Sequence, residues 1–171
     1  MKIIAPGAHM DHMLRTTRLH HVQLSTMADV KASMMLTLSS VLITLCAPHI
    51  SKPDLKWAAL IMMAFCFLTI ILATYAVMPK LSFSPKRGPR PDINSTAFNI
   101  LFFGDFVRMD YDHYESAMEE VLNDPTRTYQ AMVRELYTLG MFLANKKYRY
   151  VRLAYISFIT GLFISGLVLL F

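Results

Sequence analysis

Three stretches of the chain are apolar at every turn. Residues 32–50, 57–78 and 153–171 contain no Asp, Glu, Lys or Arg over 19, 22 and 19 positions. A helix rises about 1.5 Å per residue, so roughly 20 residues cross about 30 Å of hydrocarbon with every backbone polar group bonded inside the segment. Each stretch is therefore predicted to be a transmembrane helix. Buried core helices of a soluble protein are the alternative, but three such runs in so short a chain leave too little polar surface to cover them.

Between these runs the pattern becomes amphipathic and punctuated. From about Asp11 to Cys46 neither Gly nor Pro intervenes, so one helix is expected to enter the first span from outside it. Beyond residue 78, Pro79, Pro85, Pro89 and Pro91 with Lys86, Arg87 and Arg90 make a basic connection unsuited to helix interior, an anchor for lipid headgroups. The run Asn99, Ile100, Leu101, Phe102, Phe103, Gly104, Asp105, Phe106 is too apolar to leave in water and should be buried against helices or the membrane surface. Asp110 is placed to cap a helix over 111–122 with acidic first turns; Asp124 and Pro125 then suit the N-cap and first position of another. No proline follows Pro125, and the only interior breakers are Gly140, Gly161 and Gly166. One helix of about 70 Å is thus predicted to run through the third span.

Composition agrees with the pattern: of 171 residues 54% are hydrophobic and only 17% charged, with a mean hydropathy of +0.38, outside the range of ordinary soluble domains. Residues 1–21 show no apolar signal-peptide core, so the first span is expected to be retained. Cys46 and Cys66 fall inside predicted spans and read as small packing residues. The net charge of +5 is unevenly distributed: of 17 Lys and Arg, only Lys52 and Lys56 lie in the short loop between the first two spans. The positive-inside rule places the N-terminus and residues 79–152 in the cytoplasm. Nine of the twelve acidic residues also lie in 79–152, which makes it a mixed-charge folded surface rather than a polybasic tail. No nucleic-acid partner is expected. The predicted fold is an all-α membrane protein of about three transmembrane helices, with a cytoplasmic helical domain formed by extensions of the membrane helices and a short helical hairpin. The segments are a cytoplasmic N-terminal helix (1–31), the spans 32–50, 57–78 and 153–171, and the cytoplasmic part 79–152.

Few residues suggest chemistry. No nucleophile with its base, Gly-rich phosphate loop or metal centre is recognisable, so neither catalysis nor a cofactor is expected. His9, His12, His20 and His21 lack the acidic or Cys companions of a metal site. Arg15 and Arg18 share a helix face, and guanidinium forks suit phosphate. Asp29 and Lys31, two apart at the mouth of the first span, point to different faces, so at least one should face inward rather than pair with the other. Within the spans, Ser33, Thr37, Ser40 and Thr44 follow a 4, 3, 4 spacing, and Ser157, Gly161 and Ser165 repeat every four residues. Small faces let helices approach closely, either within one chain or between subunits. Three spans alone leave little room for a pore, so a homo-oligomer is expected.

Several of these residues carry a family resemblance. Arg18, His21, Leu24, Ala28, Asp29, Lys31, Ala32 and Ser33 entering an apolar helix, then Asn-Ile-Leu-Phe-Phe-Gly at 99–104, Tyr114, and Asn-Lys-Lys-Tyr-Arg at 145–149, resemble the membrane-spanning effectors of Pycsar antiphage systems, the PycTM family. The resemblance runs over about 15–167. It implies an inner-membrane effector that answers cCMP or cUMP, the second messenger made by a partner pyrimidine cyclase on phage infection, by impairing the membrane and killing the infected cell. The chain departs from the family at His20 and His21, where Asn or Arg is common, so the resemblance assigns those histidines no binding role. Under this reading Arg15, Arg18, Asp29, Lys31, Asn99, Arg134 and Lys147 are the candidate ligand-binding residues. Tyr111, Tyr114 and Tyr137 are candidates to stack on a base. A holin-like or toxin protein needing no nucleotide, or a membrane adaptor subunit, would share the spans and basic flanks. The topology has a direct check: alkaline phosphatase fused after Phe171 should be active and a fluorescent protein there dark, and the reverse result would refute three spans with the N-terminus inside.

Overall fold

The computed structural model describes residues 7–78, 98–107 and 109–170, with the backbone alone of Phe103. The proline-rich basic connection, the Phe103 side chain and Phe171 lie outside the described residues. Every regular element among those described is a helix: α1 (Ala8–Cys46), a 3-10 turn (Ala47–Ser51), α2 (Lys56–Val77), α3 (Phe103–Phe106), α4 (Tyr111–Leu122), α5 (Pro125–Phe142), a π segment (Leu143–Tyr148) and α6 (Arg149–Leu170). Three continuous helices, Ala8–Ser51, Lys56–Val77 and Pro125–Leu170, are long and apolar enough to cross a membrane. The chain therefore has the all-α architecture of a multi-pass membrane protein. The third long helix is interrupted only by the π segment, a wider turn not anticipated from a sequence without proline after Pro125.

The chain divides into two compact units, one of residues 7–22, 98–107 and 109–141, the other of 23–78 and 142–170. In the second unit, Ala28, Ala32 and Met35 of α1, Ala73 and Ala76 of α2, and Val151 and Ala154 of α6 form one buried cluster. Alanine is common here because packing in lipid comes from close backbone approach rather than from expelling water. α2 lies along α6 through the Ser157, Gly161, Ser165 face. Ser165 donates its hydroxyl to the Ala58 carbonyl at 3.0 Å, and Ser157 donates to that of Phe65 at 3.4 Å. A Cβ at Gly161 would fall 2.4 Å from the Cβ of Phe65, so only glycine permits this crossing.

The hydroxyl stripe of the first span behaves differently. Ser33, Thr37, Ser40 and Thr44 are exposed. Thr37, Ser40 and Thr44 each donate to the carbonyl four residues back in their own helix. α1 turns Ala28, Ala32, Met35 and Ser39 inward instead. Large apolar side chains such as Leu38, Val41, Phe67, Ile71, Ile159 and Phe163 remain exposed on all three helices, as a surface meeting lipid or further chains requires.

In the first unit, Phe98, Ile100 and Ala117 form a small core with Tyr114, Met118, Val121 and Ala131 packed around it. Thus Phe98, Ile100 and Leu101 are sheltered by α4 and α5. Asp124 accepts the backbone N–H of Thr126 at 2.8 Å and that of Arg127 at 3.4 Å, the capping its position beside Pro125 predicts. Asp110 occupies the N-cap of α4 in extended conformation, yet its side chain makes no capping bond; its carboxylate lies 3.9 Å from His113 instead. The Tyr129 hydroxyl donates to Asp11 at 2.6 Å, tying α5 to the start of α1 across 118 residues of sequence. That bond favours the protonated phenol and, with burial, raises its pKa above the ordinary tyrosine value, so the link holds throughout the neutral range.

The two span glycines should respond oppositely to substitution. Gly161→Leu must push α2 from α6 and should lower stability in detergent by about 1–3 kcal/mol, the usual cost of overpacking. Gly166→Ala meets nothing within 4 Å and should be neutral or slightly stabilising through helix propensity. Thermal unfolding followed by circular dichroism measures both.

Candidate functional site

The seven candidate ligand-binding residues do not share one environment. Arg15 and Lys31 are exposed. Arg18 is exposed but pairs with Glu135 at 3.0 Å, and that carboxylate is itself buried. Asn99 and Arg134 meet around one backbone segment, and Asp29 and Lys147 meet as an ion pair. Tyr111 and Tyr137 are exposed, while Tyr114 packs at 5.0 Å on Phe106. Among the described residues no group of three His, Cys, Asp or Glu is arranged to hold a metal ion.

The Asn99 segment is organised by its own polar groups. The Asn99 side-chain oxygen accepts the Leu101 N–H at 3.1 Å, an Asx turn, and the Asn99 N–H donates to the Asp105 carboxylate at 2.9 Å. The chain closes further through Phe102 N–H to the Asn99 carbonyl and Asp105 N–H to that of Phe102. A Cβ on Gly104 would lie 2.6 Å from the Phe102 ring, which accounts for glycine after two phenylalanines. Arg134 reaches across from α5 and donates to the Phe98 carbonyl at 2.7 Å. A cleft of about 250 Å³ opens here, lined by Phe98, Asn99, Ile100, Val121, Arg127, Gln130, Ala131 and Arg134. Arg127 pairs with Glu120 and lies 3.7 Å from Asp124. With Leu101 fixing the oxygen of Asn99, the other terminal atom is its NH2, a donor; Asn99 is 2% exposed and that nitrogen has no acceptor. A buried amide donor left unbonded costs about 1–3 kcal/mol, so this one is conspicuous.

The second grouping lies at the π segment. Widening one turn rotates the residues that follow relative to a plain α continuation. Here it presents Lys147 and Tyr148 to α1. Lys147 Nζ lies 2.7 Å from both oxygens of Asp29 and 2.8 Å from Ser25 Oγ, and Tyr148 donates its hydroxyl to the Leu24 carbonyl at 3.1 Å. The Lys147 side chain is only 15% exposed, so its ammonium depends on these acceptors. Asp29 therefore faces inward and Lys31 outward, the split their two-residue spacing predicts. Sequence reasoning missed Ser25, Glu135 and the Asp11–Tyr129 bond, since partners 117 to 122 residues apart leave no local signal.

A family model described as PycTM, Pycsar effector protein domain, matches residues 12–171. No curated protein and no solved structure matches the chain.

The Asp29–Lys147 pair has a clear signature in a double-mutant cycle. Asp29→Asn should cost about 1–3 kcal/mol, because it strands the largely buried Lys147 ammonium, and Lys147→Gln should cost less, because the Asp29 side chain is 43% exposed. The double variant should cost less than the sum. Strictly additive penalties in detergent unfolding would show that the two residues do not depend on each other.

Proposed function

The chain belongs to the PycTM family of Pycsar effector domains, and from that premise we propose that it converts a cyclic pyrimidine nucleotide signal into damage to the inner membrane. It is a membrane effector of Pycsar defence, with three helices of membrane-crossing length. The observation that carries the proposal is the family match, which takes in all three of those spans and the polar segments between them together. In this reading a partner cyclase makes cCMP or cUMP on infection, the helices outside the spans bind it from the cytoplasm with the N-terminus inside, and copies of the chain associate in the membrane. Infected cells lose their membrane potential and die before phage mature.

The physical requirement is differential binding. A nucleotide can shift the spans only if it binds one arrangement of the helices more tightly than another. A singly charged cyclic phosphate needs one or two placed cations; Arg15, Arg18, Arg134 and Lys147 are the candidates. Lys147 is satisfied by Asp29 and Ser25, so its use would require breaking that pair. Cells expressing the protein with an active cyclase should depolarise after infection, and cells with a catalytically dead cyclase should keep their potential. Equal depolarisation in both, read with a potential-sensitive dye, would replace gating by a holin-like action.

A further inference from the structure

The cleft beside Asn99 combines features that select a ligand. Its only fully buried polar side chain ends in an amide NH2 with no acceptor, held in place because the other end of the same amide bonds Leu101. An unpaired buried donor of fixed direction discriminates strongly between partners that supply an acceptor and partners that do not. The walls on either side are apolar, from Phe98, Ile100, Val121 and Ala131. Positive charge stands at the rim, where Arg127 is held by Glu120 and Asp124, and on the wall, where Arg134 bonds the Phe98 carbonyl. At about 250 Å³ the space is smaller than the ~300–1,000 Å³ of sites for drug-sized ligands. It has room for a single nucleobase.

We propose that this cleft, between the Phe98–Ile100 segment and α5, receives the ring of a pyrimidine nucleotide, with the Asn99 amide donating to the ring's exocyclic O2 carbonyl. The assignment rests on the nucleotide reading above and adds the place and the selecting group. Cytosine and uracil both carry that carbonyl beside the glycosidic bond; adenine has no exocyclic carbonyl, and guanine carries its own at C6, away from the glycosidic bond. The sugar and cyclic phosphate then lie toward the rim at Arg127. Both messengers are accepted through the atom they share, and purine cyclic nucleotides are refused because neither purine offers a carbonyl at that place.

The test uses the full-length protein in lipid nanodiscs, titrated with cUMP, cCMP, cAMP and cGMP. Wild type should bind a pyrimidine nucleotide at least tenfold more tightly than either purine. Asn99→Asp keeps the oxygen that bonds Leu101 and removes the donor, so it should weaken pyrimidine binding at least tenfold with unchanged helical content. Lys52→Gln, exposed in the loop between the first two spans, should bind as wild type. Hydrogen exchange on wild-type protein provides a reading independent of any variant: added cUMP or cCMP should slow exchange across 98–101 and 127–134. Pyrimidine binding with protection elsewhere, or undiminished in folded Asn99→Asp, overturns the cleft and leaves nucleotide sensing intact. Failure of wild type to bind any of the four overturns both.

Discussion

Hydrocarbon offers no hydrogen bonds, and this one constraint sets most of the structure. A backbone crossing the bilayer must satisfy its N–H and C=O groups internally, which restricts the apolar stretches to helices. The same constraint reaches the side chains. Thr37, Ser40, Thr44 and Thr69 return their hydroxyls to the carbonyl one turn back, and Ser165 bridges to α2. With no water to expel, the spans are held by closeness, which is why alanines fill the shared cluster and Gly161 sits against Phe65.

What could be read from the sequence follows from this. Element boundaries set by local chemistry were legible: the α4 helix over 111–122, the Asp124–Pro125 start of α5, and the uninterrupted run of α1. The four-residue repeat of Ser157, Gly161 and Ser165 marked a true helix contact because a small face is a local property. The identical style of argument did not say which stripe of α1 turns inward, since Ser33, Thr37, Ser40 and Thr44 compete with Ala28, Ala32 and Ser39 on a helix apolar all round. The π segment was invisible for a related reason. Nothing in Leu-Ala-Asn-Lys-Lys-Tyr breaks a helix; the wide turn goes with tertiary contacts of Lys147 and Tyr148 to residues more than 100 positions away.

The candidate site was legible only in part, and for a parallel reason. Asn99, Arg134, Asp29 and Lys147 were among the candidates that came with the family resemblance, but their pairing is a property of the fold. Arg134 binds a backbone carbonyl rather than a side chain, and so no charge pattern could have paired it with the Asn99 segment. Glu135 beside it turns the other way, to Arg18, so adjacent residues of opposite charge serve different neighbours. One turn of α5 thus ties together the Phe98 segment and the start of α1.

The two units differ in how their cohesion could respond to a ligand. Unit contacts among 23–78 and 142–170 are mostly apolar and close-packed, and such packing has discrete arrangements rather than a continuum. The other unit is joined by a few polar links of long sequence separation: Asp11 with Tyr129, Arg18 with Glu135, and Arg134 with the Phe98 carbonyl. Links of this kind contribute about 1 kcal/mol each, less for the partly exposed Arg18 pair. A ligand with micromolar affinity brings about 8 kcal/mol of binding free energy, more than all three together. Only the part of that energy that differs between arrangements can move them. The small polar-linked unit is therefore the one held together by less free energy than a micromolar ligand supplies.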